Sequence, residues 1–223
     1  MTTPKAGDVF LHELVLPGEP SGGKHLCVCL SRVEYAQETG MAVLASLRRV
    51  RSSWWRPLVD LPDYAPRPGF LPLDGPRAVD TSQMMSVSTA ALSRVAGVVT
   101  ERVVSETMAV VPALFQLKGP WEVRGAVHRI LGWPEGTAAV LVLNDDALDN
   151  PDLRHFLVVP YEIDEWRMEL VLIGAADLGE EIRVLSDAEQ TRLSDDLARI
   201  FPLTGRWRSV GGRRPSPTPR TAP

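Results

Sequence analysis

Two cysteines are all that the 223 residues contain, and no apolar run approaches the ~20 residues that a membrane-spanning helix needs. No helix crossing a membrane is expected. Met1-Thr2-Thr3-Pro4-Lys5 lacks the apolar core of a signal peptide, so a cytoplasmic protein is expected. Cys27 and Cys29, two apart on an expected strand, are read as buried reduced thiols on opposite faces, without a disulfide or a shared metal. His12, His128 and His155 show no ligand spacing. Asp145, Asp146, Asp149 and Asp152 lack the glycine and terminal glutamate of a helix-loop-helix calcium site and read as a solvated turn. No metal or other cofactor is expected.

Charge of one sign is missing in two places. Residues 205–223 hold five Arg and no acid, and no acid interrupts Arg48, Arg49, Arg51 and Arg56 around Trp54 and Trp55. Residues 1–118 carry 12 basic against 11 acidic side chains, whereas residues 119–204 carry 7 against 17. The segments stand at +1, −10 and +5. A surface for nucleic-acid phosphates needs local positive charge, which assigns any such site to the first segment or the tail.

What the chain does have is an internal repeat, over roughly residues 7–117 and again over 125–202. Gly7-Asp8-Val9-Phe10-Leu11-His12 and Gly125-Ala126-Val127-His128-Arg129-Ile130 open the two copies. Apolar runs follow at Leu26 to Leu30 and Ala138 to Leu143. Polar turns, Ser31 to Gly40 and Asn144 to Arg154, lead into Met41 to Leu47 and Phe156 to Tyr161. Each copy closes on a hydroxyl-capped helix, from Thr100 or from Ser186. The second copy is shorter, and most of what it lacks corresponds to residues 51–90.

Short runs rich in Val and Leu predict strands at Val9 to Leu16, at the four apolar runs just named, and at Met168 to Ile173, in antiparallel sheets. Residues 51–68, with four prolines and two tryptophans, read as a long loop. A short helix is expected over Ser86 to Gly97. A longer one is expected over Thr100 to Leu117, kinked or ended early by Pro112. Ser186-Asp187-Ala188-Glu189 has the pattern of a capping box. Leu193, Leu197, Ile200 and Phe201 form one apolar face behind it. The Gly, Pro, Ser and Arg-rich tail is expected to be disordered.

The stretch Gly69-Phe70-Leu71-Pro72-Leu73-Asp74-Gly75-Pro76-Arg77-Ala78-Val79-Asp80, followed by a capped helix ending in Ala113-Leu114-Phe115-Gln116-Leu117, resembles the MazF/PemK toxins. Their signature there is Leu-Asp-Gln-Val-Arg-Thr-Val-Asp. Gly7-Asp8-Val9, His25 to Ser31 and Thr39-Gly40-Met41 are similar in the first copy. Ala138 to Asp145, Val158-Val159-Pro160 and Leu185 to Glu189 are similar in the second. The resemblance implies an α+β fold: two fused, strongly curved antiparallel barrels of SH3-like MazF/CcdB type, each with a C-terminal helix. The domains would be residues 1–118 and a degenerate acidic 119–204, followed by the tail 205–223. Family members are homodimers, so the tandem copies imply a pseudo-dimer within one monomeric chain.

Members that cleave RNA do so without metal. The ribose 2′-hydroxyl attacks the neighbouring phosphate, aided by an arginine and a threonine. Here the arginine position falls on His25, beside Lys24, and the threonine position falls near Arg48 or Arg49 with Ser46 the nearest hydroxyl. The signature glutamine is Gly75, while Arg77 and Asp80 match. In the second copy the positions fall on Thr137 or Ala138 and near Glu162, and no activity is expected there.

Lys24, His25, Ser46 and Arg77 are thus the candidate catalytic residues. Arg48, Arg49, Arg51, Trp54, Trp55 and Arg56 are the candidate RNA-binding residues, since guanidinium groups meet phosphates and indoles stack on unpaired bases. The competing readings are a solvated loop with surface cations, and indoles folded back over the barrel. The expected function is a toxin-type endoribonuclease or single-stranded-RNA-binding protein of a toxin–antitoxin-like system. The alternative is a catalytically inactive binding module whose groove or acidic half engages a protein partner, such as an antitoxin-like protein.

Overall fold

The computed structural model describes residues 3–13, 23–50, 58–114, 126–134, 137–141, 155–162 and 165–202. The tail, residues 51–57 and the aspartate-rich turn from Asp145 lie outside these, and with them the expectations placed there.

The chain forms two antiparallel sheets. The first contains β1 (Asp8–His12), β2 (His25–Cys29), β3 (Met41–Arg49), β4 (Leu58–Val59), β5 (Tyr64–Pro66), β6 (Arg77–Ser88) and β7 (Val95–Val99), in the order β4-β6-β3-β2-β1-β7-β5. Its edge strands, β4 and β5, are neighbours in the chain, joined through the 3₁₀ turn Leu61–Asp63. The sheet therefore curls until its two edges nearly meet. Asp63 fastens this seam: Arg102 and Thr100 donate to its carboxylate, and the Thr100 amide donates to its carbonyl at 2.9 Å. Curvature is added where β6 loops out Thr81, Ser82 and Gln83 between the pairs Ala45–Met84 and Ser46–Asp80. An irregularity of this kind bends a strand and raises its twist.

The second sheet holds β8 (Ala126–Ile130), β9 (Ala138–Leu141), β10 (His155–Glu162), β11 (Glu165–Trp166), β12 (Val171–Gly174) and β13 (Leu178–Val184). Its order runs β12-β10-β9-β8-β13, with β11 also on β10. Position by position this matches β6-β3-β2-β1-β7 of the first sheet. A 3₁₀ turn precedes both β7 and β13, at Thr89–Ala91 and Ala175–Asp177. A helix follows each, α2 (Glu101–Leu114) and α3 (Asp187–Ile200). The α+β class and the antiparallel sheets agree with expectation.

Ser186 caps α3 with the reciprocal bonds its sequence predicts, and the buried face Leu193, Leu197, Ile200 and Phe201 follows. That face joins one continuous hydrophobic cluster running from Val9, Val28 and Val43 to Leu157, Leu172 and Leu185. The two sheets thus share a core. Backbone bonds also cross between the two halves of the chain: the Ser86 amide donates to Leu170 O and the Arg32 amide to Ile200 O. Tyr35 Oη, itself buried, donates to Met168 O at 2.7 Å.

Four local expectations are corrected. Ser86 to Gly97 is not a helix: β6 continues to Ser88, opposite Met41, and Val95–Val99 forms β7 on β1. Open ladder positions on β3 and β1 outweigh a weak local periodicity. The polar turn Ser31 to Gly40 contains a helix, α1 (Val33–Thr39), which buries Tyr35 and Ala36 and ends on Gly40 in the left-handed region (φ 69°). Residues 58–66 of the expected long loop are the short strands that close the first sheet. Cys27 and Cys29 point into the same cluster, with Phe10 and Leu44, because positions two apart on a strand share a face. Both are buried and free. The helix α2 runs two residues past Pro112. No helix among the described residues is long and apolar enough to cross a membrane.

Candidate nucleic-acid interface

The predicted cations gather at one end of the first sheet. Register puts Arg49 opposite Arg77, Arg48 opposite Ala78 and Ser46 opposite Asp80. On the other side of β3, Ser46 lies opposite Cys27, and one strand further His25 lies opposite His12. Lys24 immediately precedes β2 and is exposed.

Strand alternation then divides the set between two faces. Ser46, Arg48 and Asp80 share the face that carries Cys27, and His25 lies two residues before Cys27 on the same side of β2. Arg49 and Arg77 each stand two residues from a side chain of the shared core, Leu47 and Val79, and so lie on the other face. The candidate nuclease groups therefore do not surround a single point. Ser46 is also buried, so its hydroxyl is not presented to solvent.

Acids already engage these arginines. Arg48 Nε stands 3.5 Å from the carboxylate of Asp80, which is only 1% exposed. Arg49 and Arg77 each donate through Nη2 to Asp74, one to each carboxylate oxygen. Hydrogen bonds from Arg49, and then Arg77, hold the Asp74 carboxyl below the usual carboxylate range. Arg77 Nε is buried with no partner among the described residues. Burial pushes the His12 imidazole to a lower pKa; the nearby Lys24 charge adds to this and Glu13 opposes it. Asp74 is the member that sequence reasoning left without a role. Its signal was its place three residues before Arg77 within the family-like stretch.

Arg51, Trp54, Trp55 and Arg56 belong to residues 51–57, outside the described set. Both anchors of that segment are described. It leaves from Arg49-Val50 and returns at Leu58, which pairs with Ala78, while Val59 pairs with Arg77. The tryptophan segment is thus tethered at both ends to the corner that carries Arg48, Arg49 and Arg77.

No family model matches the chain, and no curated protein matches it. Among solved structures, a chain from the crystal structure of MazE-MazF (Form-II) from Deinococcus radiodurans aligns over 53% of this chain and 100% of its own length. The identity is 18% and the TM-score 0.37.

Proposed function

We propose that this chain is a MazF/PemK-like protein of a toxin–antitoxin-like system, two fused copies forming an intrachain pseudo-dimer, and that its first half binds single-stranded RNA. The observation that carries the RNA-binding reading is the common corner. Arg49 and Arg77 on one face and Arg48 on the reverse face lie there, beside both anchors of a segment bearing two further arginines and two tryptophans. Cations beside stacking aromatics suit unpaired nucleotides, because every base offers a π-face and every linkage a phosphate. The duplication is supported by the repeated strand order, and β6 and the approach to β12, which occupy the same place in that order, bond to each other. The second half carries the acidic excess and serves as a structural partner.

Binding without cleavage is the better supported branch. Ser46 is buried, and His25 and Arg48 lie on the opposite face from Arg49 and Arg77. The test is incubation of the full-length protein with end-labelled single-stranded RNA in a chelator, read by mobility shift and by product ends. Retarded, intact RNA is expected. Fragments ending in 2′,3′-cyclic phosphate that vanish in His25→Ala would establish the nuclease branch instead. If RNA is neither bound nor cut, the RNA reading fails and an antitoxin-like protein partner takes its place.

A further inference from the structure

A cavity of about 240 Å³ lies where α1 of the first repeat faces α3 of the second. Tyr35, Met168 and Ile200 give it an apolar floor. Glu34 and Glu38, one helical turn apart on α1, stand at its rim, and neither makes an ion pair among the described residues. Asp196, across the cavity on α3, accepts from Trp166 Nε1 at 3.0 Å and has only loose pairs, at 3.9 Å, with Arg192 and Arg199. Arg32 and Arg199 also line the cavity, but Arg32 donates to Phe201 O and Arg199 stands by Asp196, which leaves Glu34 and Glu38, above the apolar floor, as two carboxylates without an ion pair among the described residues. That combination fits a side chain with an apolar stem and a cationic head.

The chain itself delivers such side chains to this place. Where α3 ends, Phe201 turns extended and its carbonyl accepts from Arg32 Nε at 2.6 Å. Arg32 and Ile200 both line the cavity, so the chain leaves the described region at Pro202 beside its mouth. Four residues later come Arg206, Trp207 and Arg208, within a segment of five arginines and no acid. Four residues span up to ~14 Å when extended, enough to return across the mouth to α1. A small counter-charged occupant is thus covalently attached at the entrance, at a high effective concentration.

The geometry points to the cavity between α1 and α3 as the seat of the chain's own C-terminal segment, with Arg206 or Arg208 held between Glu34 and Glu38. Seated there, the segment straps the two repeats together at the exit of α3.

The experiment uses the full-length chain with one new cysteine, Ser209→Cys in one version and Thr221→Cys in the other. Cys27 and Cys29 are buried and contribute no background. Labelling by a maleimide at position 209 should be at least ~5-fold slower than at 221, since a seated segment must open before it reacts. Glu34→Lys with Glu38→Lys, both exposed positions, should bring the two rates together, and so should molar salt. Trypsin should cut after Arg206 and Arg208 more slowly than after Arg213, and the same double substitution should remove that difference. Equal labelling of positions 209 and 221 in the unaltered background would overturn the proposal. So would protection that survives the charge reversal, because the segment would then be seated elsewhere.

Discussion

Ser86 and Leu170, 84 positions apart in the chain, bond to each other twice. The Ser86 amide donates to Leu170 O at 2.7 Å, and the Leu170 amide donates back to Ser86 Oγ at 2.9 Å. Tyr35 Oη lies 3.3 Å from the same hydroxyl, and Leu170 is fully buried. This serine thus ties β6, α1 and the approach to β12 into one joint.

Ser86→Ala should accordingly destabilise the whole chain by about 1–3 kcal/mol, the cost of leaving a buried amide without its acceptor. Because the hydrophobic core is continuous across the repeats, urea unfolding followed by circular dichroism should stay a single transition with a lower midpoint. Two separated transitions would mean that the repeats unfold independently.

Asp74 gives the RNA reading a test with opposite signs. Its carboxylate occupies both Arg49 and Arg77, so Asp74→Asn should free cationic charge and tighten binding of single-stranded RNA several-fold, whereas Arg49→Ala and Arg77→Ala should weaken it. Each lost phosphate contact should also lower the salt slope by about 0.7. Fluorescence anisotropy at several salt concentrations measures both, and a neutral Asp74→Asn would remove this corner from the interface.

Glu189 makes stability depend on acid. Hydrogen bonds from Arg183, and then from Ser186, pull its carboxyl down to about 2. A carboxyl depressed on folding stabilises the native state above its unfolded pKa, near 4.5, and loses that contribution as pH falls through about 2. Glu189→Gln should therefore flatten the urea midpoint between these limits. Ser186→Ala, which removes the helix cap, should cost about 1 kcal/mol at neutral pH.

The thiols provide an independent gauge of unfolding. Burial pushes Cys27 up to about 12 and Cys29 up to about 11, which leaves almost no thiolate at pH 8. Neither should react with a chromogenic disulfide reagent in the native protein. Both should react in denaturant, and the exposure rate should follow the loss of circular dichroism. A fast-reacting native thiol would show that the first sheet opens locally around its central strand β2.

Much of the fold was legible because strand alternation and helix caps are local. The strands β1 and β8, the apolar runs of β2, β3, β9 and β10, and the capping box at Ser186 all rest on residues within a few positions of one another. The segment Ser86 to Gly97 was misread because its two strands exist only through partners on β3 and β1, about forty to ninety residues away. The seven-residue helix α1 was missed for a similar reason. Its burial of Tyr35 depends on Met168 in the other repeat.

For the candidate site, composition alone located the cations in the first half and left the second acidic, since charge is additive along the chain. Which face each side chain takes depended on register, and register is set across strands. The ladder that sets Arg49 opposite Arg77 also leaves Arg48 and Ser46 on the reverse side, and the turn ahead of β6 brings Asp74 between the two arginines. The order of residues fixes where the charges lie and which short runs can form strands, because both are local. That the two sheets share one core, and that Ser46 and Arg48 face away from Arg49 and Arg77 at the same end of the first sheet, follows from pairing between strands far apart in the chain.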